Sequence, residues 1–433
     1  MVTVGDMSVK KWWVASVAVA SIAVVSVASA AVISAHRGPD LIVTAPETPT
    51  APQLGVAPAQ ADGPLDTAAL TARLDELANN PDLGDFSGVV SDVGTGEIVW
   101  ERGGDNPLQP ASVTKVLTGA AALWELGEDH RVTTTVLRQA DTAYIVSEGD
   151  VWLDDQQLDQ LAAAAQGATA VVVDTTAWGD NTFLDSWDRQ DIAAGYIAPM
   201  EPLMRYGGRL SGTEGDTPRT DTPALAVGEQ IAQRIGGADV RQEAAPKAEE
   251  EGVSVAASIT SAPLIERLEE LMAHSDNVMA EAVGREIARH RHPETPPDSA
   301  QAAKAVTEIV QEHGIDTTGL DLHDTSGLST DNRIPPRVID TTLAAAVIDP
   351  KAHGLSTTLP IAGASGTLAE RFNGTPGAGW VRAKTGTLTS TSALAGVVTA
   401  ADDHILSFAF ISNGSSILPA RQALDALATG IRG

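Results

Sequence analysis

The chain of 433 residues contains no cysteine. Disulfides, thiolate catalysis and cysteine-ligated metal are thereby excluded. Basic residues are scarce, 28 against 57 acidic ones, and the net charge is -29. No basic surplus exists to neutralise phosphates, so a nucleic-acid partner is not expected. No Gly-x-Ser-x-Gly run occurs, which leaves a Ser-His-Asp hydrolase without its nucleophile turn. Histidines at i, i+4 are also missing. His290 and His292 stand two apart at the end of a helical stretch, where basic residues suit the macrodipole. Neither a metal nor a cofactor is expected. His274 reads as a packing or hydrogen-bonding residue.

What is present describes an exported globular chain. Apolar residues make up 43% and charged residues 20%, the balance of a folded protein of two domains or more. Lys10 and Lys11 precede an apolar run from Trp12 to about Ala35, and Ala28-Ser29-Ala30 offers a small-residue cleavage site. Residues 1–36 therefore read as an export signal or a membrane anchor, long enough for either. Both readings stay open, and both put the rest of the chain outside the cytoplasm. Residues 37–64, rich in Pro, Ala and Thr, read as a linker.

The folded part opens with a leucine stripe, Leu70, Leu74 and Leu77, on a helix from Asp66. A hairpin follows, Ser87–Val93 and Glu97–Glu101 around Gly94-Thr95-Gly96. A helix carrying Ser112 then runs to about Leu126 and stops at Gly127. Past Thr135 short strand-like runs alternate with acidic loops. Two helices flank Ser275-Asp276-Asn277, and a third spans Ala300–Glu312 with Asp298 or Ser299 as N-cap. Strands at Val381–Leu388, Ala393–Ala400 and His404–Ser412 precede a closing helix from Ile417. The expected fold is α+β. Two early and three late strands form a five-stranded antiparallel sheet flanked by helices, built from 65–135 and 256–433. Residues 136–255 are an inserted second domain.

Three short patterns carry the chemistry. Ser112 and Lys115 lie three apart on a helix, one above the other, a hydroxyl beside an amine. The chain has few lysines, yet Ser8 and Lys11 repeat the spacing by chance within the export segment. Ser275-Asp276-Asn277 can point a hydroxyl and an amide the same way, but alone it equally reads as a helix cap. Lys384-Thr385-Gly386-Thr387 lies on a strand of alternating character, where Gly386 leaves room for a bound chain. Alone it could be an edge strand with a protective lysine. Asp324-Thr325-Ser326-Gly327 is by itself a polar turn.

In this order, Ser-x-x-Lys, Ser-x-Asn and Lys-Thr-Gly resemble the signature of penicillin-recognising serine enzymes, the penicillin-binding/β-lactamase-like transpeptidase domain. The long gap between Ser112 and Ser275 fits an inserted domain. Gly195-Tyr196-Ile197-Ala198-Pro199, Asp324 to Ser329, Leu359-Pro360-Ile361-Ala362-Gly363, Gly366-Thr367-Leu368 and Arg371 narrow the likeness to the D-alanyl-D-alanine carboxypeptidase/endopeptidase family, peptidase family S13. The insertion is shorter and less regular than in larger members, so a third domain is expected to be absent.

The resemblance implies an acyl-enzyme on Ser112, Lys115 as its base, Ser275 as proton relay, Asn277 on the substrate amide and Lys384 in the catalytic group. Thr385, Gly386, Thr387 and Ser326 would bind substrate. It also implies peptidoglycan stem peptides and β-lactam antibiotics as partners. A serine β-lactamase would need a deacylating base that the sequence does not offer. A non-catalytic envelope scaffold would have no use for all five catalytic residues.

Overall fold

The computed structural model describes residues 63–433. The export segment at 1–36 and all but the last two residues of the linker at 37–64 lie outside the described residues. Among the described residues no helix is long and apolar enough to cross a membrane.

In chain order the elements begin with α1 (Thr67–Leu77), β1 (Asp85–Asp92), β2 (Ile98–Arg102) and α2 (Lys115–Leu126). The middle of the chain holds β3 (Thr133–Gln139), β4 (Thr142–Ser147), β5 (Asp150–Leu153), α3 (Asp155–Ala164), β6 (Ala170–Asp174), β7 (Leu203–Arg205), α4 (Pro223–Arg234), β8 (Asp239–Gln242) and β9 (Val253–Thr260). There follow α5 (Leu264–His274), α6 (Asn277–Arg291), α7 (Ser299–Glu312), α8 (Pro336–Ile348), β10 (Val381–Leu388), β11 (Thr391–Thr399), β12 (Ile405–Asn413) and α9 (Ile417–Arg432).

The first sheet has the order β10-β11-β12-β1-β2 and is antiparallel throughout. Early and late strands join where β1 pairs with β12, from Asp85 opposite Asn413 to Asp92 opposite Leu406. Successive side chains take opposite faces. Leu394, Phe408 and Phe410 pack against α1 and α9, while Ala393, Ala395, Ala409 and Ile411 face α8 and the core around α2. The alanines on that second face let α8 come close. Helix α2 is apolar nearly all round, and ten of its twelve residues are buried, as a helix through the middle of a core must be. A Cβ on Gly119 would lie 2.8 Å from both Leu355 and Met272.

Residues 133–260 build a second sheet, β8-β6-β4-β3-β9. Its centre is parallel, β4 with β6 and β6 with β8, and the crossovers carry α3 and α4, the usual way to join parallel strands. Two sequence expectations change here. The stretch after Leu153 is no acidic loop: Asp154 and Gln157 form a capping box that starts α3. Aspartates that read as loop residues are here cap and outer-face residues. The insertion is also more regular than its sequence suggests. Its outer strand β9 alternates Val253, Val255, Ala257 and Ile259 with Ser254, Ala256, Ser258 and Thr260, and even its apolar positions are only half-buried or exposed.

One buried acid faces the first sheet from α8. Asp340 is fully buried, accepts a hydrogen bond from Ser91 and leaves Oδ1 without a partner among the described residues. Burial pushes its pKa up to about 6. Between its ordinary value and 6 the folded chain holds a proton that the unfolded chain has lost. This site's contribution to stability is therefore complete at low pH and declines as pH rises through that window. Asp340→Asn removes the charge at every pH. It is expected to raise stability at pH 8 by about 1–3 kcal/mol and to change it little near pH 4, read from urea midpoints at both values. An equal shift at both pH values would show that the effect is not ionisation.

Candidate active site

Ser112 does not lie on the α-helix itself. Ala111–Thr114 form a 3-10 turn, and α2 starts at Lys115. Ala111 has φ +49, a strained value for a residue with a Cβ. Two glycines crowd this turn. A Cβ on Gly327 would sit 2.0 Å from the Ala111 carbonyl oxygen, and one on Gly386 would meet the Pro110 oxygen at 2.7 Å. Gly386 was expected to make room for a bound chain. Its bare face is instead turned to the Ser112 turn.

Lys115 is fully buried beneath the half-exposed Ser112. Its Nζ lies 3.0 Å from Ser112 Oγ and donates to Asn277 Oδ1 and the Ser326 carbonyl, each at 2.6 Å. Burial pushes its pKa down to about 8, against the opposing pull of Asp324, Asp276 and Glu281. A neutral amine has two N–H groups and one lone pair. Asn277 and Ser326 take the two hydrogens, and the lone pair is left for the Ser112 hydroxyl.

The Ser275-Asp276-Asn277 turn is both a cap and a site. Ser275 ends α5 in the left-handed conformation, φ +57. Asp276 caps α6, accepting from Met279 N at 2.8 Å. Ser275 Oγ accepts from Lys384 Nζ at 2.8 Å, and Lys384 also donates to the Thr385 carbonyl. Lys384 is buried, and burial together with the Lys115 charge pushes its pKa well down. Asn277 Nδ2 donates to the Tyr196 carbonyl at 3.0 Å.

Strand β10 is the edge of its sheet. The Ala383 N–H points off that edge to the Pro360 carbonyl. The two-residue repeat of a strand puts the Thr385 and Thr387 N–H groups on the same open side. The Thr385 hydroxyl donates to Thr367 Oγ1, and Thr387 Oγ1 accepts from Arg421 Nη2 at 2.8 Å.

Ser326 was expected on the substrate side. It is buried, and it meets Lys115 through its main-chain carbonyl. Two acids hold its loop. Glu281 Oε1 accepts from the Thr325 and Ser326 amides. Asp324 accepts from the Gly327 and Ser329 amides, Asn332 Nδ2 and Trp187 Nε1.

A second layer was not visible in the sequence. Arg209 and Arg219, both from the insertion, donate to Asp276 Oδ2 at 2.8 and 2.9 Å, all three buried. Burial alone would raise the Asp276 pKa; the two guanidiniums overcome that and hold it well below the usual carboxylate range. No local pattern in the sequence marks these arginines. Among the described residues no cluster of His, Asp and Glu could hold a metal ion.

Comparison with known proteins follows the same lines. Residues 70–218 and 212–431 match the D-Ala-D-Ala carboxypeptidase 3 (S13) family. The chain is 40% identical over 404 residues to the carboxypeptidase DacB of Mycolicibacterium smegmatis, covering 87% of each chain. It is 30% identical over 471 residues to the D-alanyl-D-alanine carboxypeptidase of Actinomadura sp., covering 87% of this chain and 86% of that one. The crystal structure of penicillin binding protein 4 from Haemophilus influenzae shares the fold, with a TM-score of 0.68, 22% identity, and coverage of 84% of this chain and 98% of that one.

Removing Asp276 would leave two buried guanidiniums without their counter-charge. Asp276→Ala is expected to lower stability by about 3–5 kcal/mol, measured by urea denaturation. A loss below about 1 kcal/mol, the range of an exposed ion pair, would show that the triad does not hold the turn.

Proposed function

The chain belongs to the D-Ala-D-Ala carboxypeptidase 3 (S13) family and is a serine-type D-Ala-D-Ala carboxypeptidase, and on that footing we propose that it cleaves peptidoglycan stem peptides through an acyl-enzyme on Ser112. One observation carries this reading: a buried amine, pushed toward neutrality, stands 3.0 Å from the hydroxyl of a half-buried serine.

Ser112 Oγ attacks the carbonyl of the penultimate D-alanine while Lys115 takes the serine proton. The Ser112 and Thr387 amides stabilise the developing oxyanion, a contribution of about 2.7–4 kcal/mol for each donor of this kind. Ser275, held by Lys384, relays that proton from Lys115 to the departing D-alanine amine, which returns Lys115 to its neutral form. Asn277 uses one end of its amide to orient Lys115. The other end, on the Tyr196 carbonyl, is where a substrate amide can exchange. Thr385 and Thr387 line the place of the terminal carboxylate, and Ser326 acts through its carbonyl on Lys115. Water then releases the acyl group. A β-lactam acylates Ser112 by the same attack and leaves slowly. Peptidoglycan lies in the cell envelope, and Lys10, Lys11 and the apolar run from Trp12 support export to it.

Ser112→Ala is expected to abolish both D-alanine release from pentapeptide stems and covalent labelling by benzylpenicillin, each read by mass. Labelling that survives would remove Ser112 from the mechanism. A penicilloyl adduct that turns over quickly instead of lasting hours would favour a β-lactamase.

Because Lys115 acts as the free amine, the acylation rate should climb about tenfold per pH unit well below 8 and level off above it. A flat profile between pH 6 and 8 would deny Lys115 the role of base.

A further inference from the structure

Three acids act on Lys115: Asp324 from its loop, Glu281 from α6, and Asp276 from the cap of that helix. Lys384 of β10 faces it as a second amine. Two of the acids have cations of their own. Arg209 and Arg219 hold Asp276, and Arg285 holds Glu281. Asp324 has none. It is fully buried, and among the described residues its donors are the Gly327 and Ser329 amides, Asn332 Nδ2 and Trp187 Nε1, all neutral. Arg285 lies within its field, but that guanidinium is spent on Glu281 and Ser299. The Asp324 charge acts on Lys115 more strongly than that of Asp276 or Glu281.

One peptide unit joins the two groups. Lys115 Nζ donates to the Ser326 carbonyl at 2.6 Å, and the Gly327 N–H of that same peptide donates to Asp324 Oδ1 at 2.8 Å. The two ends of a trans peptide point opposite ways, so amine and carboxylate hold the unit from its two edges. The carboxylate polarises the amide and makes the carbonyl oxygen a stronger acceptor. The preceding peptide is held alike, one turn along α2. Thr118 Oγ1 donates to the Thr325 carbonyl at 2.6 Å, and the Ser326 N–H donates to Glu281 Oε1 at 2.8 Å. That chain of bonds ends in a hydroxyl, which takes up no charge. The chain from Asp324 ends in the amine beside Ser112.

We propose that Asp324 is a positioning residue for the base: through the Ser326–Gly327 peptide it aims the Lys115 amine and stabilises the ammonium that forms when Lys115 takes the Ser112 proton. The inference rests on the acyl-transfer reading given above and deepens it. A carboxylate in direct contact would hold Lys115 as the ammonium before substrate arrives. One peptide away, it leaves the resting amine its lone pair and still meets the charge that appears as the proton moves. Trp187 reaches Asp324 from the insertion, and its donation to Oδ2 at 2.9 Å damps that charge.

The test is the rate of acylation by benzylpenicillin between pH 5.5 and 9.5, read by intact mass. Its midpoint in the unaltered chain reports Lys115. Asp324→Asn removes the charge, so the midpoint is expected to fall by about 1 pH unit. The plateau rate should fall about tenfold, for the loss of an acceptor strengthened by charge. Trp187→Phe keeps the carboxylate and removes one of its donors, so the midpoint should rise by a few tenths of a pH unit. A packing defect would instead lower the rate alike at every pH. An unmoved midpoint in Asp324→Asn overturns the proposal. Should that variant not fold, an unmoved or falling midpoint in Trp187→Phe overturns it. If benzylpenicillin does not label the unaltered chain, the acyl-transfer reading itself has failed.

Discussion

Two lysine amines are buried with only neutral atoms in hydrogen-bond contact, and the rest of the site follows from keeping them so. Lys115 meets a hydroxyl, a side-chain amide oxygen and a main-chain carbonyl. Lys384 meets a hydroxyl and a main-chain carbonyl. A carboxylate in direct contact with either would restore its charge and raise its pKa. Three acids stand close enough to act on Lys115, yet each is occupied elsewhere: Asp276 by two arginines, Glu281 by two amides and Arg285, Asp324 by amides, Asn332 and Trp187. The acids build the walls of the site and leave the amines unpaired.

This arrangement gives the insertion a structural role. Arg209 and Arg219 close on Asp276, Trp187 donates to Asp324, and the Tyr196 carbonyl fixes Asn277. All four residues come from the segment between β3 and β9. The orientation of Asn277, and through it the direction of the Lys115 lone pair, depends on chain that folds around the second sheet. Ser112, in the turn before α2, and Lys115, at the first residue of that helix, are thus aimed by the part of the chain built on the second sheet.

Much of the fold was legible because its signals are local. The leucine stripe of α1, the glycine turn between β1 and β2 and the stop at Gly127 all act within a few residues. The five strands of the first sheet stand where the sequence puts them. The helix α3 was lost because its cap reads as acidic loop. At the site, the residue types with chemistry in their side chains were legible. Ser326 was legible as a residue but not in its contact, since the main-chain carbonyl that meets Lys115 is common to every residue type. Arg209 and Arg219 act across the fold from positions with no periodicity, and only the folded chain joins them to Asp276.

Backbone strain shows why these pieces cannot be loosened one at a time. Ala111 and Ser275 both hold positive φ, a conformation that costs about 1 kcal/mol or more for a residue with a side chain. Each sits next to or within the residues that carry the chemistry. Ala111 is kept there by the close approach of Gly327 on one side and Gly386 on the other, so the Ser112 turn is wedged between the loop that supplies the Ser326 carbonyl and the strand that supplies the Thr387 amide. Ser275 is kept there by the cap of α6 that Asp276 makes with Met279. A shift in any one of these contacts would relax the strain and move Ser112 Oγ relative to the open edge of β10. The distance from Ser112 Oγ to the Thr387 amide is thus set by main-chain packing, which explains why glycines, and not larger residues, stand at 327 and 386.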